Sequence, residues 1–429
     1  MKIFFRTLGC KVNQYETEAM QKLFEAAGYE TADEISAADV VVVNTCTVTA
    51  VSSQKSRQMI RRAAGANPNA VLAVVGCYAQ SEPQAVEKIS GVDVIIGTKD
   101  RTRIVELVEA ALKNRGEKIF RVGPVDEIHA FEELPHAPHR TRAFLKIEDG
   151  CNNFCAYCII PHVRGRVRSR PLKNIRAECL ALAAAGYKEI VLTGIHIGAY
   201  GRDFRDGTTL VDAVKTVLDA ANPLRLRLGS IESAEMTDEL IALLKSDARI
   251  CNHVHLPLQS GSDEILRAMR RPYTTKNFSE LTARLVEEIP NISIGTDLIV
   301  GFPGETDENF SETLQFIREQ PFSKIHVFPF SARTGTPAAS MPNQISPPLK
   351  KSRADLALEI SRAKSKFFSE RLIGRTVEVI AETSTGGIVD GLTKNYVRVY
   401  FPDEKISLGE VIKISVERLH KDGVFGAAV

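Results

Sequence analysis

The chain has 429 residues, 44% of them hydrophobic and 25% charged, and its 55 basic side chains nearly balance its 53 acidic ones. This composition excludes a fibrous, collagen-like or wholly disordered chain, and at roughly 150 residues per domain the length predicts two to four domains. The apolar run at residues 3–5 is too short for a signal peptide, and no stretch reaches the roughly 18 apolar residues that span a bilayer. We therefore expect a cytoplasmic protein that does not contact a membrane.

Residues 1–113 alternate short β-branched runs with amphipathic segments. The runs predict strands at residues 3–7, 40–44, 71–75 and 92–96, and the amphipathic segments predict helices at residues 16–27 and 104–112. Near-continuous apolar strands separated by helices are typical of a parallel sheet covered on both faces. We expect an open α/β domain here, followed by a linker over residues 114–140, where Pro and charged residues break any periodicity.

The alternation restarts at residue 141 and runs to about residue 368. Six strands are expected, at residues 143–147, 189–193, 224–229, 253–258, 292–300 and 325–330. Helices between them are expected at residues 175–185, 210–220, 237–244, 278–289 and 308–319. Right-handed crossovers would curl six such units into a partial barrel, short of the eight that close one.

The last sixty residues show a different pattern of predicted elements. After a helix expected near residues 354–371, short strands at residues 377–381, 388–389, 396–401 and 411–416 follow one another without intervening helices. This pattern predicts a small antiparallel β-barrel over residues 369–429, similar to an oligonucleotide-binding fold.

Three of the eight cysteines lie in one loop, Cys151, Cys155 and Cys158. Disulfides are rare in a reducing compartment, so we expect these thiols to bind metal or to take part in catalysis. Three thiolates can hold three irons of a 4Fe–4S cube, which leaves one iron open for another ligand. The alternative is a zinc site closed by His162.

A second set, Cys10, Cys46 and Cys77, follows three of the predicted parallel strands. The carboxyl ends of such strands line one crevice, so we expect these thiols to converge there rather than to be unrelated buried cysteines. Gly9 and Gly76 precede two of them and would let the backbone approach a bulky cofactor. The remaining Cys179 and Cys251 are expected to be core thiols.

The loop spacing CxxxCxxC, with Tyr157 before its last cysteine, resembles the radical S-adenosylmethionine superfamily, whose partial barrel has six βα units. The segments TLGCKVNQYE at residues 7–16, NTC at residues 44–46 and GCYAQ at residues 76–80 look like the methylthiotransferases over nearly the whole chain. Within that family, KVNQ at residues 11–14 resembles the branch that acts on threonylcarbamoyladenosine in tRNA.

The resemblance implies the cofactors and partners. One 4Fe–4S cluster would bind Cys151, Cys155 and Cys158 and, through its open iron, S-adenosylmethionine. A second 4Fe–4S cluster would bind the N-terminal cysteines, and the C-terminal barrel would be an RNA-binding TRAM domain. An electron donor such as flavodoxin or ferredoxin is implied, whereas the sulfur source is not indicated.

The implied function is transfer of a methylthio group to C2 of N6-threonylcarbamoyladenosine, on the 3′ side of the tRNA anticodon. Alternatives are the same chemistry on isopentenyladenosine in tRNA or on an aspartate of a ribosomal protein. An alternative of another class is a non-catalytic iron–sulfur protein that binds RNA and senses redox state. The absence of a fourth cysteine from both sets disfavours this last alternative.

Further site residues follow from matching segments and from position. Contacts to S-adenosylmethionine are expected from five residues near strand ends: Thr193, Gly194, Ile195, Glu232 and Gln259. The superfamily's usual Gly-Gly-Glu reads Thr-Gly-Ile here. His253 and His255 point the same way from one strand and are expected to fill the barrel.

Four arginines alternate just after the cysteine loop, at Arg164, Arg166, Arg168 and Arg170. An extended segment would place all four on one face. We expect this stripe to contact RNA phosphates, the alternative being a solvated charge run offset by carboxylates.

Overall fold

The computed structural model describes residues 1–135, 140–220, 225–403 and 405–429. Within these ranges no helix is long and apolar enough to span a membrane. Three units follow one another along the chain, an α/β sheet domain, a partial barrel and a small closed barrel, which confirms the predicted fold class.

The N-terminal unit is a six-stranded parallel sheet in the order β2-β1-β3-β4-β5-β6. Its strands are β1 (Lys2–Thr7), β2 (Glu30–Thr31), β3 (Val40–Thr45), β4 (Val71–Gly76), β5 (Val94–Ile96) and β6 (Ile119–Arg121). Its helices are α1 (Lys11–Ala26), α2 (Ala50–Ala66), α3 (Cys77–Ser81), α4 (Pro83–Glu87) and α5 (Ile104–Lys113).

The central strands of this sheet are buried on both faces, as their apolar runs predict. Val40 and Val42 pack into one core, whereas Val41 and Val43 pack into a second core on the opposite face. Helices cover both faces because successive side chains of a strand point to opposite sides. Every residue of β3 and β4 is consequently buried.

Strand β6 lies inside the segment predicted to be a linker. Its Ile119 pairs with Val94 of β5, so this part of residues 114–140 extends the sheet. Three residues with a half-exposed Phe120 are too few to show a strand pattern. Residues 136–139 of the linker lie outside the described residues.

The central unit has six parallel strands, as predicted. They are β7 (Ala143–Lys146), β10 (Glu189–Thr193), β11 (Arg225–Leu228), β12 (His253–His255), β13 (Ser293–Val300) and β14 (Lys324–Pro329). Two three-stranded sheets, β7-β10-β11 and β12-β13-β14, are joined by the bridges Leu226 to Ile250 and Ser230 to His255. Leu224, the expected start of the third strand, lies outside the described residues.

Helices alternate with these strands and cover the outside of the barrel. They are α6 (Ile160–Arg164), α7 (Leu172–Ala184), α8 (Leu210–Ala220), α9 (Asp238–Ser246), α10 (Asp263–Ala268), α11 (Thr275–Glu288), α12 (Asp307–Glu319), α13 (Pro337–Ser340) and α14 (Pro347–Glu370). A short antiparallel pair that the sequence did not predict, β8 (Glu148–Asp149) and β9 (Arg168–Ser169), brackets the cysteine loop.

The C-terminal unit is a closed barrel in the order β15-β16-β17-β19-β18. Its strands are β15 (Thr376–Thr385), β16 (Ile388–Thr393), β17 (Arg398–Pro402), β18 (Val411–His420) and β19 (Gly423–Ala428). Four of the five were predicted. The fifth, β19, has the sequence GVFGAA and lacks the β-branched run on which strand prediction depends.

Close packing explains the glycines of β19. A Cβ at Gly423 would lie 2.0 Å from the carbonyl oxygen of Arg398, and one at Gly426 would lie 2.1 Å from that of Ser415. No side chain fits at such distances, so glycine is required for the neighbouring strands to approach. The boundaries between the three units stay a prediction, apart from the addition of β6 to the N-terminal sheet.

We predict that Gly423→Ala destabilises the C-terminal barrel by about 1–3 kcal/mol, since backbone atoms must move to admit the methyl group. Gly65→Ala in α2 is the matched control, because a Cβ there has open space and alanine favours helix by up to about 1 kcal/mol. Thermal unfolding of the two variants should shift in opposite directions. Equal shifts would contradict the steric role assigned to Gly423.

Candidate active site

The N-terminal cysteines lie at one edge of the sheet. Cys10 follows β1, Cys46 follows β3 and Cys77 begins α3 directly after β4. The three strands are neighbours and parallel, so their carboxyl ends meet, as expected. A Cβ at Gly9 would lie 3.0 Å from the Cβ of Cys46, which shows how closely the first two turns approach. Their role as cluster ligands stays a prediction.

The backbone conformation itself requires glycine at positions 9 and 76, whereas their approach to a cofactor stays a prediction. Both have positive φ, +116° and +93°, which favours glycine. A Cβ at Gly76 would lie 2.4 Å from the Asn44 side-chain oxygen. The close approach that these glycines permit is therefore to neighbouring protein atoms, which brings the cysteine turns together.

The N-terminal thiols differ in exposure. Cys10 is exposed, whereas Cys46 and Cys77 are buried. Burial raises the pKa of Cys77 to about 12, although the Arg164 guanidinium acts in the opposite direction. Burial likewise raises the pKa of Cys46. Such thiols become thiolates when they bind metal, which fits a cluster that needs anionic sulfur ligands.

The second set of thiols lies in the loop between β8 and α6. The Cys158 backbone N–H donates to the carbonyl of Cys155 at 3.0 Å, and the Asn153 N–H donates to the Cys151 sulfur at 3.5 Å. Burial raises the pKa of Cys151 and of Cys158 to about 12. The three sulfur atoms of this loop are suitable ligands for an iron–sulfur cluster, as are those of the N-terminal set.

Each set of thiols receives an N–H donor from a buried arginine. Arg164 Nε lies 3.3 Å from the sulfur of Cys77, and Arg271 Nη1 lies 3.3 Å from the sulfur of Cys155. Arg271 also contacts the hydroxyl of Tyr273 and the carboxylate of Glu232. Hydrogen bonds to cluster sulfurs tune the reduction potential of a cluster. Sequence reasoning missed Arg271, which carries no motif that reveals it.

The zinc alternative receives no support from the arrangement of side chains. Across the ranges described, no three His, Cys, Asp or Glu side chains are grouped closely enough for a single metal ion. His162 is exposed and packs edge-on against Phe154 with 5.7 Å between ring centroids. A four-iron cube requires no such grouping, because each thiolate binds its own iron.

A buried charge network joins the N-terminal domain to the barrel. Its members are Glu16, Arg101, Lys146, Asp149 and Arg164, all with side chains at most 3% exposed. Arg164 Nη1 lies 2.9 Å from Glu16 and 3.0 Å from Asp149, and Lys146 lies 2.7 Å from Asp149. Burial would raise the pKa of Glu16, but the surrounding cations lower it to about 2. The network therefore remains ionised.

This network corrects the prediction of an exposed arginine stripe. Arg164, Arg168 and Arg170 are buried, and only Arg166 of the four is exposed. Arg168 donates to two backbone carbonyls, and Arg170 pairs with Glu133 at 2.9 Å. The segment is not extended throughout, since Arg164 ends α6, Gly165 has a φ of +77°, and only Arg168 and Ser169 form a strand. Three of the predicted phosphate contacts are thus wrong.

Thr193 is the last residue of β10, and Gly194 and Ile195 begin the turn after it, next to the cysteine loop. The backbone N–H groups of Ile195 and His196 both donate to Glu148, at 2.9 and 2.6 Å. His196 Nδ1 in turn lies 3.5 Å from the sulfur of Cys151. This anchoring holds the turn beside the loop, where a molecule bound to an open iron would reach it.

The other two residues expected to contact S-adenosylmethionine are positioned by neighbours. Glu232 pairs with Arg271 and so lies near Cys155. Gln259 has a positive φ of +67° and bonds through its backbone to β13. No contact to the cofactor is tested by these observations, and the five assignments stay predictions.

One cavity of about 630 Å³ connects the three units. It is lined by Cys10 and Lys11, by Thr193 and Gly194, by inward-facing residues of β12 to β14, and at its base by Tyr396 and Arg398. Its volume is in the range of about 300–1,000 Å³ typical of small-molecule sites. The cavity reaches from Cys10 through the barrel to the C-terminal unit.

His253 and His255 line this cavity, in agreement with their expected position inside the barrel. Burial lowers the pKa of His253 well below its usual value, and its ring stacks on Tyr396 with 4.5 Å between centroids. His255 pairs with Asp297 at 3.1 Å.

Cys179 and Cys251 are buried, as expected of core thiols. The Cys179 sulfur contacts the carbonyl of Val217, and the Cys251 sulfur lies 3.8 Å from Glu189. Neither belongs to the two sets of thiols described above.

Comparison with known proteins agrees with this architecture. Residues 2–97 match the uncharacterized protein family UPF0004, and residues 145–317 match the radical SAM superfamily. The fold also resembles the radical S-adenosylmethionine methyltransferase TsrM of Kitasatospora setae, with a TM-score of 0.58 at 17% identity over 79% of this chain and 75% of that one. The chain thus contains a radical SAM domain, at residues 145–317.

Relatives narrow this class. The chain is 43% identical to the threonylcarbamoyladenosine tRNA methylthiotransferase MtaB of Bacillus subtilis, over 96% of this chain and 93% of that one. It is 37% identical to the protein of the same name in Aquifex aeolicus, over 97% and 100%. It is 34% identical to tRNA-2-methylthio-N(6)-dimethylallyladenosine synthase of Acetivibrio thermocellus, over 99% and 90%. The chain belongs to the methylthiotransferase family.

We predict that Arg164→Met destabilises the metal-free protein by about 3–5 kcal/mol, because it leaves Glu16 and Asp149 buried with too few cations. Arg166→Met is the matched control, two residues away and exposed, and should cost about 1 kcal/mol or less. Denaturant unfolding measures both. Similar losses in the two variants would contradict the burial of the Arg164 charge.

Proposed function

We propose that this enzyme transfers a methylthio group to C2 of N6-threonylcarbamoyladenosine on the 3′ side of the tRNA anticodon. The observation that carries the proposal is the cavity that begins at Cys10 and at the Thr193–Gly194 turn and continues into the barrel. Support for the particular nucleoside comes from the two relatives named MtaB, at 43% and 37% identity.

Two 4Fe–4S clusters and S-adenosylmethionine are the cofactors of this reaction. Cys151, Cys155 and Cys158 hold one cluster, which also binds S-adenosylmethionine, and Cys10, Cys46 and Cys77 hold the other. When bound, these groups supply a carbon-centred radical and the sulfur that replaces the hydrogen on C2. The C2–H bond of adenine is too weakly acidic for the ordinary side chains of the cavity to break.

The protein's own residues bind and orient the substrate. A base inside a folded tRNA cannot reach a cavity within a barrel, so the nucleotide must be turned out of its stack. The volume of the cavity is sufficient for one such nucleotide, with Cys10 lining one part and Thr193 and Gly194 lining another. Glu148 and Arg271 are positioning residues, since they act through the turn and through Cys155.

A small flavodoxin or ferredoxin supplies the electrons in this proposal, and the enzyme acts in the cytoplasm.

The C-terminal barrel contributes to RNA binding. With three arginines of the predicted stripe buried, phosphate contacts depend on other exposed cations. Truncation of the C-terminal barrel tests this role poorly, because its Thr393 and Lys394 carbonyls accept bonds from buried Arg227. Removing the barrel would open the cavity as well.

The proposal predicts a defined product. Purified enzyme, reconstituted anaerobically and given a reductant, S-adenosylmethionine and a sulfur source, should convert threonylcarbamoyladenosine in tRNA to its 2-methylthio form. Mass spectrometry of the digested nucleosides measures this. Methylthiolation of isopentenyladenosine instead would favour the alternative substrate, and failure to cleave S-adenosylmethionine would favour a redox sensor.

The two sets of thiols predict a partition of iron. Reconstituted enzyme should hold about eight irons, as two four-iron cubes. Changing Cys151, Cys155 and Cys158 together to Ala should halve the iron and abolish cleavage of S-adenosylmethionine. Changing Cys10, Cys46 and Cys77 to Ala should halve the iron but retain some cleavage.

Cys179→Ala is the matched control for both triple variants, since this thiol is fully buried outside the two sets. It should retain all the iron and alter stability by roughly 1 kcal/mol. Full iron in either triple variant would show that the assignment of ligands is wrong.

A further inference from the structure

We propose that Lys11 binds the carboxylate of the threonylcarbamoyl group and so selects this nucleoside over one with an apolar N6 substituent. This inference rests on the proposed function. It concerns one side chain, at the first position of α1 and directly after Cys10, that lines the cavity.

The surroundings of Lys11 are rich in cations and lack a free counter-ion. Burial lowers the pKa of Lys11. The guanidinium groups of Arg142 and Arg227 act in the same direction, whereas Tyr396 and Glu189 act in the opposite direction. Glu189 is already engaged, by Arg227 at 2.7 Å and by Arg142 at 3.3 Å. Among the residues that the structure describes, no carboxylate lies within ion-pair distance of Lys11.

Two other basic residues of the cavity, His255 and Arg398, lie beside carboxylates. His255 pairs with Asp297 at 3.1 Å, and Arg398 pairs with Asp390 and lies 3.9 Å from Asp422. Lys324 also lines the cavity, but from the exposed edge strand β14. Lys11 is therefore the cavity-lining cation next to the N-terminal thiols with which an incoming anion could pair without displacing an ion pair of the described residues.

The chemistry of the base places its N6 substituent close to Lys11. C2 and C6 of adenine are both bonded to N1, so a group on N6 lies near the carbon that receives sulfur. That carbon must approach the sulfur that would be supplied at the cluster of the N-terminal thiols, one of which is Cys10. We therefore expect Lys11, which follows Cys10 and lines the same cavity, to face the N6 substituent.

Pairing of the Lys11 ammonium with a carboxylate would discriminate strongly between charged and apolar N6 substituents. Charge-assisted hydrogen bonds are roughly twice as strong as neutral ones, and a site built around a polar group rejects an analogue that lacks it. A threonylcarbamoyl group brings a carboxylate, whereas an isopentenyl group is apolar and would leave the ammonium unpaired.

The test is a double-mutant cycle between the protein and the RNA. Anticodon stem–loop RNA carrying threonylcarbamoyladenosine is compared with the same RNA in which a carboxamide replaces the carboxylate. Each is bound anaerobically to the holoenzyme and to Lys11→Met, and dissociation constants and single-turnover rates are measured. Lys11→Gln is a second neutral variant that keeps a polar side chain.

We expect Lys11→Met and Lys11→Gln to weaken binding of the carboxylate RNA at least tenfold and of the carboxamide RNA less than twofold. Lys55→Met, an exposed lysine on α2, should change neither. Lys324→Met should affect both RNAs alike if it contacts phosphate. Iron content and thermal unfolding are checked on every variant.

Equal losses with both RNAs, or no loss with either, would overturn the role of Lys11. Failure of the proposed function is a separate result, in which wild-type enzyme binds the carboxylate RNA but forms no methylthio product. The binding cycle still decides the role of Lys11 in that case, because it does not require turnover.

Discussion

The buried ion network around Arg164 determines how the two sets of thiols are placed relative to each other. It joins Glu16 on α1, six residues after Cys10, to Asp149, two residues before Cys151, and the same guanidinium contacts Cys77. Burying these charges costs free energy unless every partner is present. The N-terminal sheet and the barrel can therefore adopt few relative positions, and a cavity shared between them becomes possible.

The C-terminal barrel completes that cavity from the opposite end. Tyr396 enters the base of the central barrel, where its ring stacks on His253 and lies 4.8 Å from the guanidinium of Arg227. Arg227 itself is held by Glu189 and by two carbonyls of the C-terminal unit. The cavity floor thus depends on packing between domains, and the C-terminal unit has a structural role besides any contact with RNA.

The sequence predicts those parts of the structure that depend on residues close together in the chain. Apolar runs and the cysteines that follow them give the strands and the sheet edge, because strand ends and turns are set by nearby residues. The arginine stripe was wrong because the partner of Arg164 is Glu16, 148 positions away. The same limit hid Arg271, the short pair β8 and β9, and the Gly-rich strand β19, whose form depends on tertiary contacts.

The incomplete barrel matters for a macromolecular substrate. Strand β14 is the last of its sheet among the described residues, and its Lys324, His326 and Phe328 are exposed while lining the cavity. The N-terminal domain covers one end of the barrel and the C-terminal unit covers the other. A single nucleotide that remains attached to RNA on both sides needs a lateral opening, which a closed eight-stranded barrel would not provide.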